Sequence, residues 1–263
     1  MARGRPDRRR SGRDAEPLRG WHPVREALRA GRRPLSELRI AAPADRPELA
    51  ELLDLARNAG VRVRQVPADT LGREGPGERS AQGLELFAGP LPEFGLAELA
   101  RAGAAPRTLV ALDGVEDPQN LGAIVRVAEA AGVAGLILTR RRSPPLSAAV
   151  ARASAGAIEW LPVARVPNLP RALNDLKKGG FWAFGSDPEA GDGLYDLPDR
   201  LLAGDRVIVL GAEGRGLRRG VGQVLDHRVR IPMAGRVDSL NVSAAAAVVL
   251  FEFRRRSRLA TSA

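Results

Sequence analysis

Five short, mostly apolar runs constrain this chain more than any other feature: TLVALDG (108–114), GLILT (135–139), FWAFG (181–185), RVIVLG (206–211) and HRVRIP (227–232). Helical patterns fall between and after them, predicted over 120–131, about 146–155, 168–178 and 240–256. Runs with so little alternation have no polar face to leave in water, so both faces of their sheet need cover. Strands alternating with helices supply that cover. The pattern predicts an α/β domain over 107–263 with a mainly parallel, helix-covered sheet.

A weaker alternation lies upstream. HPVREALRAG (22–31) reads as a helix closed by Gly31, and SELRIAA (36–42) as a strand. RPELAELLDLARNAG (46–60) has leucines at helical spacing, and VRVRQV (61–66) and GLELFAG (83–89) read as strands. Together they predict a small α/β module over 19–89. Residues 1–18 are rich in Arg, Gly, Pro and Asp with almost nothing apolar, which predicts a disordered basic tail. Residues 90–106 are Pro-, Ala- and Gly-rich and read as a linker.

Charge narrows the partner. The net charge is +10, and residues 1–39 hold 12 Arg against 5 acids. Lys177 and Lys178 are the only lysines, and the planar arginine fork suits phosphates and base edges. Clustered positive charge of this kind points to a polyanion, above all nucleic acid. With no cysteine and only His22 and His227, neither a disulfide framework nor a metal site is expected. No apolar run reaches the roughly 18 residues needed to span a bilayer, and no apolar segment follows the basic start. A soluble, cytoplasmic protein is expected.

In a parallel sheet ligands bind beyond the carboxyl ends of the strands. Three polar or glycine-rich segments stand at such ends: DGVEDPQNLG (113–122), GAEGRGL (211–217) and PMAGRVDSLNVS (232–243). In the first, Asn120 is a candidate N-cap, and Gly122 and Arg126 are one helical turn apart, leaving room for an anion. The same residues suit an exposed arginine over a tolerated glycine. In the second, Glu213 among three glycines opposes phosphate but suits a hydroxyl or a neutral or cationic ligand; a tight turn with an exposed acid fits equally. In the third, Ile231, Met233 and Leu240 could hold a flat ring, while Ser239, Asn241 and Ser243 offer short hydrogen-bonding groups. One of those three is enough to cap the following helix. The three segments contain no cysteine, histidine or carboxylate pair able to act as a nucleophile or metal cluster, which suits transfer of an already activated group by binding and orientation.

These segments, in this order, resemble the three motifs of the SpoU (TrmH) family of RNA ribose 2′-O-methyltransferases in the SPOUT superfamily. N-x-G-x-x-x-R stands as Asn120, Gly122 and Arg126, and G-x-E-G-x-G as Gly211, Glu213, Gly214 and Gly216. IPM-x-G followed by SLNVS-x-A stands as Ile231–Gly235 and Ser239–Ala245, and SAGAIEWLPV (154–163) is also similar. GWHPVREAL and ERSAQGLELF resemble the small RNA-binding domain of the subgroup that methylates a guanosine of 23S ribosomal RNA, although Ala81 stands where many relatives carry histidine.

The resemblance implies a SPOUT α/β-knot domain, with a deep trefoil knot threading 205–256, and a homodimer. It implies S-adenosylmethionine bound by Gly211, Ile231 and Leu240, with Leu210, Met233 and Ser243 beside them. It also implies a catalytic neighbourhood of Arg126, Glu213, Ser239 and Asn241, with Asn120 supporting Arg126 and Ser243 keeping a capping role. The implied partner is RNA, most directly 23S ribosomal RNA, with no metal and no membrane; the alternatives are the same chemistry on transfer RNA or another ribosomal RNA nucleotide, or a non-catalytic RNA-binding or ribosome-assembly role.

Overall fold

The computed structural model describes residues 16–41, 47–71, 83–103 and 105–261. Residues 1–15 of the predicted tail and the ERSAQ stretch lie outside them. The chain divides into two compact units: residues up to Pro92 together with Leu146–Glu159, and Glu93–Pro145 together with Trp160 onward.

In the first unit β1 (Glu16–Arg19), α1 (Trp21–Ala30), β2 (Leu35–Ile40), α2 (Pro47–Asn58), β3 (Arg62–Gln65) and β4 (Leu84–Ala88) follow in order. The sheet order is β1-β4-β2-β3, antiparallel except for β2 with β3. Composition placed residues 16–18 in the tail, but they form β1. Register pairing of Glu16 with Ala88 through Arg19 with Glu85 explains this, and Leu18 is fully buried. A local run this short carries no such signal; its partner strand does.

Leu18, Leu38, Leu84 and Leu86 are buried, and so is Glu85 between the last two; its carboxylate accepts Arg19 Nε and Nη2 at 3.1 and 2.9 Å. The inserted piece contains α5 (Ala148–Ala153) and a short 3-10 turn, Ala157–Glu159. It is tied down by Glu159, which is fully buried and paired with the equally enclosed Arg33, whose Nε donates to Glu159 Oε2 at 3.0 Å. Burial pushes the Glu159 carboxyl up from its ordinary value, and Arg33 opposes that shift.

The second unit contains α3 (Leu96–Leu99), β5 (Thr108–Asp113), α4 (Pro118–Ala130), β6 (Gly135–Thr139), β7 (Val163–Val166), α6 (Leu169–Lys178), β8 (Trp182–Ser186), β9 (Asp192–Gly193), β10 (Arg206–Gly211), α7 (Arg219–Gly222), β11 (His227–Arg230) and α8 (Val242–Thr261). Its seven strands run in the order β7-β6-β5-β10-β8-β11-β9, and every pairing is parallel. All five predicted strands are present. β10 sits at the centre, and Arg206 to Leu210 are buried without interruption. That burial is the physical origin of its unalternating sequence. Leu109, Ala111, Ile137, Leu173, Val207 and Val209 belong to one core cluster.

Within the predicted linker Leu96–Leu99 forms α3, with Leu99 in the core cluster of the second unit, and the helix predicted over about 146–155 is α5 of the first unit. Two further differences lie in the second unit. Asp117, not Asn120, caps α4: its carboxylate accepts Gln119 N at 3.2 Å and Asn120 N at 3.0 Å, with Pro118 at the first helical position. Asn120 therefore sits inside the first turn with its side chain free for other work. The second difference is β7, VARV, absent from the predicted strands. It is a four-residue edge strand interrupted by Arg165, too short for a periodic signal.

Candidate active site

Asp113 at the end of β5 is buried and accepts Arg218 N at 2.8 Å and Arg218 Nε at 2.6 Å. This pins the far side of the GAEGRGL loop to the neighbouring strand. The loop closes on itself, Gly216 N donating to Ala212 O at 2.9 Å and Ala212 N to Gly216 O at 3.2 Å. Gly214 and Gly216 adopt φ of 74° and 60°, where a side chain is disfavoured. Gly211 is required for a different reason: a Cβ there would stand 2.3 Å from the Gly216 carbonyl carbon. The loop thus turns back over the end of β10 with Glu213 exposed at its tip.

Three segments meet at that tip. Asn120 Nδ2 donates to Glu213 Oε2 at 3.3 Å, and Asn241 Nδ2 donates to Asn120 Oδ1 at 3.0 Å. Asn241 Oδ1 in turn accepts Ser243 N at 2.9 Å and Ser243 Oγ at 2.6 Å. A carboxylate only accepts, so Glu213 fixes which way the Asn120 amide points, and that amide fixes Asn241. Asn241 is also the cap of α8, a role the sequence had assigned to Ser243; Ser243 donates rather than accepts. Ser239 Oγ donates to Asp238 Oδ1 at 3.0 Å.

Beside this chain of side chains lies a cavity of about 660 Å³. Of the expected site residues, Leu210, Gly211, Glu213, Ser239, Leu240 and Asn241 line it. Asn120 is joined to it through its two hydrogen bonds. Ile231 and Met233 are half-buried and Ser243 is the second residue of α8, and none of the three is in the cavity wall. Arg126 is exposed on α4. It stands six residues past Asn120, about 120° round the helix, and Asn120 bonds to Glu213 and Asn241 instead.

The wall also contains Ser186 and Glu189, which the sequence reading passed over, and Asp238. Ser186 ends β8 and Glu189 follows it, so the rule that ligands sit beyond strand carboxyl ends was the available signal. The resulting chamber has apolar walls from Leu210 and Leu240, an open backbone at Gly211, and an oriented amide–carboxylate chain at its rim. Such an arrangement can seat a flat or extended ligand and orient a polar group presented to it.

Comparison with known proteins agrees with that arrangement. Residues 107–251, more than half the chain, match the model of the SpoU rRNA methylase family, and residues 18–73 match that of the RNA 2′-O ribose methyltransferase substrate-binding domain. The chain is 43% identical to a tRNA/rRNA methyltransferase of Mycolicibacterium vanbaalenii, over 94% of this chain and 78% of that protein. It is 37% identical to a TrmH family tRNA/rRNA methyltransferase of Staphylococcus aureus, over 90% of this chain and 95% of that one. A solved RNA 2′-O ribose methyltransferase superposes with a TM-score of 0.75 at 27% identity, covering 92% of this chain and 88% of the other. The SpoU methyltransferase AviRb of Streptomyces viridochromogenes shares the fold, with a TM-score of 0.77 at 24% identity, covering 94% and 91%. By its motifs, its parallel sheet and these matches, the chain belongs to the SpoU family of RNA methyltransferases.

Proposed function

We propose that this protein methylates the ribose 2′-hydroxyl of a guanosine in 23S ribosomal RNA, with S-adenosylmethionine as donor. The observation that carries the reading is the Glu213–Asn120–Asn241 hydrogen-bonded chain at the rim of the cavity. It brings one polar residue from each of the three motifs to a single point.

The cavity fits the cofactor. Gly211 lines it with bare backbone, and Leu210 and Leu240 supply apolar surface for an adenine ring. Gly211, Leu210 and Leu240 would hold the cofactor directly, with Ile231, Met233 and Ser243 as the surrounding support. When bound, it supplies an electrophilic methyl group on a sulfonium. The chain's own task is then to bind the ribose, orient it and assist loss of its proton. Glu213, Ser239 and Asn241 orient the hydroxyl. Arg126 stabilises the developing negative charge electrostatically, since a guanidinium keeps its proton and is a poor base.

Arg126 does not join the amide–carboxylate chain of its own subunit. In the homodimer implied by the family resemblance it would serve the partner's site. Phe251, half exposed on α8, offers apolar surface for such an interface, and α8 packs on α4, the helix carrying Arg126. β10 inserted between the earlier strands β5 and β8, with α8 returning to α4, is compatible with a knot threading 205–256. No helix among the described residues is long and apolar enough to cross a membrane.

The test is tritium transfer from labelled S-adenosylmethionine to unmodified 23S ribosomal RNA and, in parallel, to bulk transfer RNA, with Arg126→Ala as control. Label on one guanosine ribose of the 23S species, lost in the variant, is the expected result. Label on transfer RNA keeps the chemistry and replaces the substrate. Cofactor binding without label on either RNA moves the substrate to an assembled particle, and no cofactor binding defeats the reading.

A further inference from the structure

We propose that a second cavity at the carboxyl end of the large sheet is a phosphate-binding subsite for the RNA backbone, with Arg141 and Arg142 as its ligating residues. The inference rests on the methyltransferase reading for its role in catalysis, but its binding chemistry stands on separate observations.

The cavity has a volume of about 370 Å³ and is lined by Thr139, Arg141, Arg142, Asn168, Arg218 and Gly220 among others. Thr139 ends β6, Asn168 follows β7, and Arg218 and Gly220 lie just past the glycine loop that follows β10. It therefore opens at the same end of the sheet as the cofactor cavity but over the β5–β6–β7 flank, whereas the cofactor cavity lies towards β8. β6 is two strands from β10, about 10 Å at ordinary strand spacing. A strand of RNA whose ribose faces Glu213 would bring the phosphate of a flanking nucleotide over this flank.

The lining holds three arginines and no carboxylate. Arg218 is neutralised by buried Asp113. Arg141 and Arg142 are exposed and have no ion-pair partner among the described residues, so their charge is uncompensated. Their presentation is also fixed. Arg142 holds a left-handed backbone with φ of 63°, an uncommon conformation for a residue with a side chain. Thr139 maintains the turn, its Oγ1 donating to Arg141 O and lying 3.2 Å from Ser143 Oγ. The ten-residue helix α6 starts at the cavity and adds the positive end of its dipole. It adds few donors, because Pro170 has no N–H and Asn168 Oδ1 already takes Arg171 N at 2.9 Å. The ligating groups are therefore the two guanidinium forks, whose planar geometry matches phosphate oxygens. With no aromatic residue in the lining, backbone phosphate is favoured over a stacked base.

The test uses the full-length protein and a fluorescein-labelled, mixed-sequence, single-stranded oligoribonucleotide, followed by anisotropy at stepped salt concentrations. Arg141→Gln/Arg142→Gln is compared with Arg101→Gln/Arg200→Gln, a pair of exposed arginines at the opposite, amino ends of the strands. Loss of two single-strand phosphate contacts should lower the slope of log K against log salt by about 1.4 for the first pair and much less for the second. S-adenosylmethionine affinity, measured by calorimetry, should be unchanged. Equal effects of the two pairs, or none from the first, would overturn the subsite. A selective fall in slope in a protein that binds no S-adenosylmethionine would keep the subsite and defeat the methyltransferase reading instead.

Discussion

Asn241 Nδ2 donates to Asn120 Oδ1 at 3.0 Å across 121 positions of the chain, while its Oδ1 caps α8 through Ser243 N. One side chain thus joins the start of the last helix to the amide–carboxylate chain of the site. The two jobs are separable. In Asn241→Asp the carboxylate still accepts from Ser243, so stability to urea should stay within about 0.5 kcal/mol. It can no longer donate to Asn120, and kcat should fall about 100-fold. Asn241→Ala should lose both, with an additional cost of about 1 kcal/mol in stability. Normal turnover in the Asp variant would show that the hydrogen bond to Asn120 is not used in the reaction.

Gly211→Ala places a methyl where 2.3 Å separates it from the Gly216 carbonyl carbon. The obstacle is backbone, so the glycine loop must move rather than a side chain swing aside. A displacement costing about 1.4 kcal/mol lowers S-adenosylmethionine affinity tenfold, readable by calorimetry, while far-ultraviolet dichroism stays unchanged. Unaltered affinity would remove Gly211 from the cofactor site.

Arg126 is outside the cavity wall, so Arg126→Ala should leave cofactor affinity intact and lower kcat by about 100- to 1000-fold. Arg126→Lys should restore little, because an ammonium lacks the planar fork. Mixing Arg126→Ala with a Glu213→Gln variant should regenerate activity if Arg126 serves the partner's site, since a mixed dimer then holds one intact site. An inactive mixture, with mixed dimers present by native mass spectrometry, would place Arg126 in its own subunit's site.

The buried Arg33–Glu159 pair makes a pH-dependent prediction. Arg33→Gln leaves a carboxylate in a desolvated site, at a cost of about 3 to 5 kcal/mol near neutral pH. Burial already raises the Glu159 pKa, and loss of Arg33 raises it further. The folded state then binds a proton that the unfolded chain releases above about pH 4.3, so stability falls as pH rises from there towards the folded pKa. Urea unfolding should show a small deficit for Arg33→Gln near pH 4 and the full deficit above the folded pKa. Arg33→Met combined with Glu159→Leu should recover most of the loss. A deficit independent of pH would mean that Arg33 acts through packing alone.

Much of the second unit was readable from local pattern. The five apolar runs became strands of one parallel sheet, and α6 covers Leu169–Lys178 against a predicted 168–178. Those features are encoded within a few residues of themselves. The misreadings share the opposite property. β7 is a four-residue strand recognisable only by its pairing with β6, and β1 exists because β4 lies beside it. Asn120 has the composition of a cap, but Asp117 three positions earlier takes that role.

The motifs themselves, and their placement at strand carboxyl ends, were determined by the sequence alone, because residue type and spacing along one strand–loop–helix unit are local. Which residues meet was decided only by the tertiary structure. Glu213 reaches Asn120 across 93 positions and Asn120 reaches Asn241 across 121, because β10 pairs beside β5 and α8 packs on α4. The same packing put Ser186 and Glu189 in the cavity wall, left Arg126 outside it, and gathered Leu146–Glu159 into the first unit around the buried Arg33–Glu159 pair. Periodicity specifies which face of an element is buried; only the fold decides what that face is buried against.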